Sequence, residues 1–223
     1  MGVFVTGGTG YIGRRLTRVL VARGHQVRVL ARTESVGRVT PGATAIVGNA
    51  LDASSFTDAL TADDTLVHLV GTPHPSPAKA LEFQRVDLPS IQASVAAATT
   101  AHVAHLVYVS VAHPAPVMQA YVEARMAGEA AIARAGLTAT VVRPWYVMGP
   151  GHRWPVLLLP IYWALELWPA TRARAQRLGL VTIDQMIAAL IEAVESPPPT
   201  GTVRVVTVPD IRRSLRPTRA VSG

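Results

Sequence analysis

The chain of 223 residues contains no cysteine, so disulfides and thiolate metal centres are excluded. Lysine is almost as scarce. Lys79 is the single one, and the +7 net charge comes from arginine. Two readings account for the arginines: a genome-level codon preference, or a polyanionic partner. They are scattered except in the last residues, "IRRSLRPTRAVSG", and no nucleic-acid-binding motif accompanies them, so no nucleic-acid partner is expected. Charged residues make up only 16% of the chain against 49% hydrophobic, a balance that excludes a disordered polymer. The N-terminus lacks a charged stretch followed by an apolar core and a small-residue cleavage site, so a signal peptide is not expected. Together with the missing cysteines this makes the cytoplasm the expected location. The most apolar stretch, "WPVLLLPIYWALELWP", is too short and too broken by proline to span a bilayer. There is no internal repeat and no long linker.

What is present is a regular alternation. "GVFVT", Gly2 to Thr6, reads as a strand. A helix from Gly10 to Arg23 follows, with Ile12, Leu16, Val19 and Leu20 at helical spacing and Gly24 as its stop. "HQVRVLA" is the next strand. "ATAIVG" is a strand, "SSFTDAL" a short helix, "DTLVHLVG" a strand and 78–98 a helix. "AHLVYVS" is a strand, 118–135 a helix and "TATVVRP" a strand. Strands alternating with helices over this length predict an α/β fold, a Rossmann-like doubly wound parallel sheet. The unbroken apolar runs in "TLVHLV" and "HLVYV" suit strands buried on both faces. After Pro144 the pattern changes to the tryptophan-rich stretch, an amphipathic helix "VTIDQMIAALIEAVES" and a last strand "TVRVVTV". The expected organisation is a nucleotide-binding domain over 1–151, a small, mostly helical C-terminal cap over 152–210 that is integral to the same domain, and a loose basic tail over 211–223.

Between the first strand and the first helix lie Gly7, Gly10 and Gly13, inside "TGGTGYIG". Bare backbone at this place lets N–H groups and a helix N-terminus approach a pyrophosphate, and the helix dipole favours the anion. The spacing resembles the "TGxTGxxG" turn of the extended and atypical short-chain dehydrogenases/reductases. Further stretches resemble that superfamily in the same order. "GNALD" is similar to its Gly-Asp-x-x-Asp turn, "VDLPSIQASVAAA" to its "VDxxGTxxVxxAA" helix, and "GLTATVVRPWYVMGPG" to its "GLxxTIxRPxxxxGPG". The likeness covers roughly 1–151, and the short length is similar to the atypical NAD(P)H-binding branch. That branch includes small reductases, redox-sensing regulators and relatives of a respiratory complex I subunit.

The resemblance implies a set of cofactor contacts. Gly7, Thr9, Gly10, Tyr11, Ile12 and Gly13 form the turn, and Asn49, Ala50 and Leu51 lie along the adenine. Val70, Gly71 and Thr72 form the floor after the fourth strand, and Pro144, Trp145, Tyr146 and Val147 pass the nicotinamide. At the end of the second strand, where NAD-selective sites place an acid, stand Arg32 and Thr33. A guanidinium there suits a 2′-phosphate, so NADP is the expected cofactor, with NAD, held by Glu34, as the alternative.

Active members pass a proton from a tyrosine whose pKa is lowered by a lysine four residues on, with a serine orienting the carbonyl. Tyr121, Arg125 and Ser110 occupy the matching places, and Glu129 matches the last position of "YxxxKxxxE". Arginine keeps the charge but not a compact ammonium's geometry. The position two residues past Ser110, where many relatives carry the catalytic hydroxyl, is Ala112. Hydride transfer itself needs only a positioned nicotinamide and an acceptor. Two functions therefore stand: an NADP-preferring oxidoreductase acting on a small apolar carbonyl- or quinone-like substrate, or a non-catalytic NAD(P)(H)-binding redox sensor or scaffold. An epimerase is disfavoured because the cap is small for a nucleotide-sugar. For the apolar stretch over 154–168 three readings compete: a pocket wall, a dimer contact, or contact with a membrane surface aided by Arg153, Arg172, Arg174 and Arg177. Both monomer and homodimer are open. His74 is a candidate polar contact at the substrate side. His102 and His105 lie at the strand end remote from the site, and no metal is expected.

Overall fold

A computed structural model describes residues 1–73, 75–150 and 178–214. The apolar stretch over 154–168, its flanking arginines, His74 and the last nine residues lie outside them.

The alternation folds as the pattern predicts. Strands β1 (Gly2–Thr6), β2 (Gln26–Ala31), β3 (Thr44–Val47), β4 (Thr65–His68), β5 (His105–Val109) and β6 (Ala139–Val142) join β9 (Val203–Val206) in one sheet. Its order is β3-β2-β1-β4-β5-β6-β9, and every pairing is parallel. The central strands β4 and β6 are buried at every residue. Helices α1 (Tyr11–Ala22), α2 (Leu88–Thr100), α3 (Gln119–Arg134) and α4 (Ile183–Glu195) cover the two faces. β1 shows why both faces fill. Its Val3 and Val5 join Leu16 and Leu20 of α1 and Met186 and Leu190 of α4 in one core, whereas Phe4 joins Ile91 of α2 and Ile132 of α3 in the other. Alternate side chains of a strand leave by opposite faces, so one apolar strand feeds two layers. Truncating such a residue, Leu16→Ala for example, costs about 2–5 kcal/mol.

Three expectations are adjusted. The short helix in "SSFTDAL" is two 3₁₀ turns, Ala53–Ser55 and Thr57–Ala59. The helix expected over 78–98 begins as one α-turn (Ala80–Glu82) and widens into a π-helical turn (Phe83–Asp87) before α2. Pro89 explains the widening: it lacks the N–H that would bond Arg85, and its ring crowds that carbonyl. Part of the stretch grouped with the cap is built into the main layers. α4 packs in the core with α1, β9 extends the sheet, and β8 (Leu180–Thr182) pairs with β7 (Tyr146–Met148). Thr182 starts α4 with a capping box to Gln185. Finally, helix α5 (Val208–Arg213) runs into the stretch expected to be a loose tail, and Ile211 is fully buried, so residues 211–213 are folded.

The strand order reverses between β1 and β4. Open parallel sheets bind ligands at such a switch, beyond the carboxyl ends of the strands.

Candidate functional site

The turn after β1 is shaped by close backbone approach. Gly7 has φ +76°, and a Cβ there would lie 2.7 Å from the carbonyl carbon of Leu69 on the neighbouring β4 segment. A Cβ on Gly13 would sit 2.2 Å from the Gly7 carbonyl oxygen. Gly10 caps α1 with no side-chain hydrogen bond, so the helix opens with its first N–H groups turned to the loop. These are the requirements of an anion cradle, and a side chain at either position would fill it.

Beside the turn lies a cleft of about 400 Å³. Of the expected cofactor contacts, Gly7, Thr9, Gly10, Arg32, Asn49, Ala50, Leu51, Val70 and Gly71 line it. Asn49 shapes its own loop by accepting the Leu51 N–H at 3.1 Å. Sequence reasoning missed Ser35, Arg38 and Val86, which also line it. Ser35 and Arg38 belong to the 3₁₀ segment Thr33–Arg38, with Arg38 donating to the Ser35 hydroxyl at 2.5 Å. The Arg32 side chain is 68% exposed and pairs with Glu34 at 3.1 Å. Thr33 is exposed and is not part of the lining.

A second pocket, about 510 Å³, opens nearer β5 and β6. Tyr11, Ile12, Trp145, Tyr146 and Val147, which the sequence offered as cofactor contacts, line it with Tyr121, Pro75, Ser76, Val111 and Met118. Its surface is mainly apolar. Met118 holds φ +61°, a left-handed conformation costly for any residue with a Cβ, at the start of α3. The Tyr121 ring packs on Phe83 of the π-helical turn, centroids 5.0 Å apart.

Four expected contacts stand behind these surfaces. Pro144 is buried, and its carbonyl accepts the Ala112 N–H at 2.8 Å. Thr72 is buried and donates through N–H and Oγ1 to Asp87 Oδ2, at 3.0 and 2.6 Å. Ser110 is buried and its hydroxyl donates a hydrogen bond to Glu129 Oε1 at 2.5 Å; Arg143 also clamps that carboxylate. Arg125 is 5% exposed. Its Nη1 donates to the carbonyls of Val109 (3.0 Å) and Val70 (3.3 Å), and its Nη2 to Asp87 Oδ1 (2.7 Å). Burial opposes its charge, but Tyr121, Tyr108 and Asp87 outweigh burial and hold the guanidinium above its ordinary pKa. Its Cζ lies 5.2 Å from the Tyr121 ring centre.

Beneath the turn is a polar core. His68 on β4 is fully buried, with Nδ1 hydrogen-bonded to Thr6 (3.0 Å) and Ser94 (2.9 Å). Burial, reinforced by the Arg125 charge, lowers its pKa to about 3, so it is neutral. Among the described residues no group of three or more His, Asp or Glu is placed to hold a metal ion, and no helix is long and apolar enough to cross a membrane.

Known proteins share this architecture. A family profile described as NAD(P)H-binding matches residues 7–153. A farnesyl-dihydroquinoline-oxide ketoreductase of Stigmatella aurantiaca is 30% identical over 171 residues, 67% of this chain and 51% of that protein. A ceramide reductase of Caulobacter vibrioides is 27% identical over 214 residues, 95% of this chain and 65% of that protein. The chain thus spans about half to two thirds of the length of these relatives. The UDP-N-acetylglucosamine 4-epimerase of Bacillus cereus superposes with a TM-score of 0.68 at 18% identity, covering 93% of this chain and 79% of its own. An NAD-bound short-chain dehydrogenase/reductase superfamily protein of Agrobacterium tumefaciens gives 0.66 at 17%, covering 92% and 77%. At such identities these two likenesses speak to the fold alone.

Proposed function

Since the chain belongs to the NAD(P)H-binding family of the short-chain dehydrogenase/reductase superfamily, we propose that it is an NADP-preferring reductase of a small apolar ketone or quinone. The observation that carries the reading is the pairing of two adjoining cavities: a glycine-lined cleft at the sheet's switch point, and an apolar pocket holding a tyrosine. The cradle at Gly7 and Gly13 fits a pyrophosphate. Arg32, with Arg38 and Ser35 on the same turn, supplies the positive charge and hydroxyl that a 2′-phosphate requires. When bound, the dihydronicotinamide supplies the hydride.

The chain's own residues do the rest. Ile12, Val111, Met118, Trp145 and Val147 exclude water and seat an apolar substrate. The Tyr121 hydroxyl gives its proton to the carbonyl oxygen as the carbon is reduced, and the Arg125 guanidinium lies behind its ring. The names of the two curated relatives, a ketoreductase of a farnesyl-bearing oxo compound and a ceramide reductase, support an oily substrate.

A second reading, a cofactor-binding sensor or scaffold without turnover, is favoured by one observation. Ser110 commits its hydroxyl hydrogen bond to Glu129, and both terminal nitrogens of Arg125 are engaged on the protein. Calorimetric titration with NADPH, NADP, NADH and NAD, followed by a screen of quinones and aldehydes, separates them. The reductase reading expects tighter binding of the phosphorylated pair and consumption of NADPH by at least one acceptor. Binding without consumption favours the sensor. No binding below millimolar concentration rejects both.

A further inference from the structure

We propose that Ser76, in the loop after β4, is a catalytic residue: its hydroxyl donates a second hydrogen bond, beside that of Tyr121, to the carbonyl oxygen being reduced. The inference rests on the reductase reading and adds to it a donor that the end of β5 does not provide.

Reducing a ketone puts negative charge on its oxygen, and donors already aimed at that oxygen lower the barrier. Tyr121 is one such donor. The end of β5 supplies no other. The Ser110 hydroxyl donates to Glu129, and the next two residues, the pocket-lining Val111 and the buried Ala112, are apolar. Elsewhere on the pocket wall, Tyr11 and Tyr146 have partners inside the protein, and Trp145 packs against the core between the sheet and helices α1 and α4. Ser76 remains, half-buried in the same wall as Tyr121.

The loop holds Ser76 in place and leaves its hydroxyl unspent. Ser76 stands between Pro75 and Pro77 in an extended conformation, φ −144° and ψ 160°, which is what a following proline favours. It opens the 3₁₀ turn Pro77–Lys79, and its carbonyl accepts the Lys79 N–H at 3.0 Å. Lys79, the chain's single lysine, donates from Nζ to the Pro73 carbonyl at 2.6 Å and so braces the loop across its base. A serine that opens a helical turn ordinarily spends its hydroxyl on the N–H groups of that turn. Ser76 makes no such bond, and its hydroxyl has no other partner among the described residues. A donor on a braced loop, without a protein partner, in the wall of a mainly apolar pocket is available to a ligand oxygen. In the reaction the hydride joins the carbonyl carbon and the Tyr121 proton joins the oxygen. Ser76 lends a hydrogen bond and keeps its own proton.

The test compares Ser76→Ala, which removes the hydroxyl, with Ser76→Thr, which keeps it. Turnover is read with 9,10-phenanthrenequinone as the acceptor, NADPH binding by its fluorescence and folding by thermal melting. Ser76→Ala is expected to lower kcat about a hundredfold, the order of loss when one donor to a developing oxyanion is removed. NADPH affinity is expected to stay within about twofold, because Ser76 does not line the cofactor cleft, and the melting temperature is expected to hold, because the hydroxyl caps nothing. Ser76→Thr is expected to keep kcat within about fivefold of the parent. A Ser76→Ala kcat within about threefold of the parent would overturn the proposal. So would a loss of NADPH affinity that matches the loss of kcat, or a Ser76→Thr protein that melts like the parent and is as slow as Ser76→Ala, since each makes the shape of the loop and not the hydroxyl the cause. If the parent binds NADPH but reduces no acceptor, the reductase reading fails by itself. Quinone binding, read by quenching of tryptophan fluorescence, then decides whether Ser76 touches the ligand: about fivefold weaker binding in Ser76→Ala upholds the contact, and unchanged binding overturns it.

Discussion

The glycine-lined cleft and the apolar pocket share one edge of the same sheet, yet they are built from different material. The cleft's phosphate end is made of backbone. Gly7, Gly10 and Gly71 present no side chains, and the tight approach of Gly13 to the Gly7 carbonyl sets its shape. The pocket is made of side chains: Tyr11, Met118, Tyr121, Trp145 and Tyr146. A backbone cradle is specified by the fold, so any chain that keeps the fold and its glycines keeps the cradle. A wall of side chains is specified residue by residue. This difference is why the cofactor class follows from family membership, whereas the substrate and the proton donor need direct tests.

The largest expected effect breaks the backbone half of this contrast. Gly13→Val puts its Cβ about where the Gly7 carbonyl oxygen lies, 2.2 Å away, and backbone cannot step aside as a side chain can. NADPH affinity is expected to fall at least a hundredfold in fluorescence titration, with the circular dichroism spectrum checking that the sheet survives. Retained affinity would show that the turn does not hold the pyrophosphate.

Next in size is Tyr121→Phe, which strikes the side-chain half. Losing a general acid costs about 10²–10⁴-fold, so kcat is expected to drop at least about a hundredfold with NADPH binding unchanged. Turnover equal to the parent would move the proton donor elsewhere.

The same contrast governs what was legible in the sequence. The glycine spacing, the βαβ order and all seven strands of the main sheet were readable, because only glycine tolerates the approach at Gly7 and Gly13 and because doubly buried strands must be apolar. Tyr121 and Arg125 were readable as a pair by spacing. The direction in which Arg125 points was not, since it is set by Asp87, 38 residues away. Ser35 and Arg38 escaped notice because a 3₁₀ turn has no strong period. The folding of 211–213 depends on Ile211 finding the core, which charge-rich neighbours conceal.

A third prediction concerns the polar groups beneath the two cavities. His68 is bonded to Thr6, just ahead of the glycine turn, and burial holds its pKa at about 3. His105, bonded to Thr140, is lowered to about 4 by burial and then by Arg204. Each is neutral in the fold and takes a proton at about pH 6.5 when unfolded. The unfolded chain thus binds more protons below pH 6.5. The stabilisation is complete above that pH and declines as pH falls towards 4 and then 3. At pH 5 the loss is about 2 kcal/mol per histidine. Glu195 and Asp210 have lowered pKa values and stay ionised at pH 5, so the interval from 7 to 5 isolates the histidines from these two carboxylates. The melting temperature should fall across it, and His68→Gln should flatten the fall. An equal slope in the variant would mean that His68 is already protonated in the fold.

The smallest effect tests the rim of the cleft, which depends on charged side chains. Arg32 is mostly exposed and shares its charge with Glu34, so its attraction for a phosphate is screened by water and by that carboxylate. Arg32→Ala is expected to cost NADPH only about tenfold in affinity, about 1.4 kcal/mol, and to leave NADH unchanged. Arg38→Ala should add a smaller loss of the same kind, because Arg38 is held by Ser35 on the same rim. Glu34→Gln should act in reverse and tighten NADPH, since it frees Arg32 from its neighbour. All three reduce to one measured ratio, NADPH over NADH affinity, in titrations at two salt concentrations. A charge-built preference shrinks with salt, and a ratio that ignores both salt and these arginines would mean that the rim does not read the 2′-phosphate.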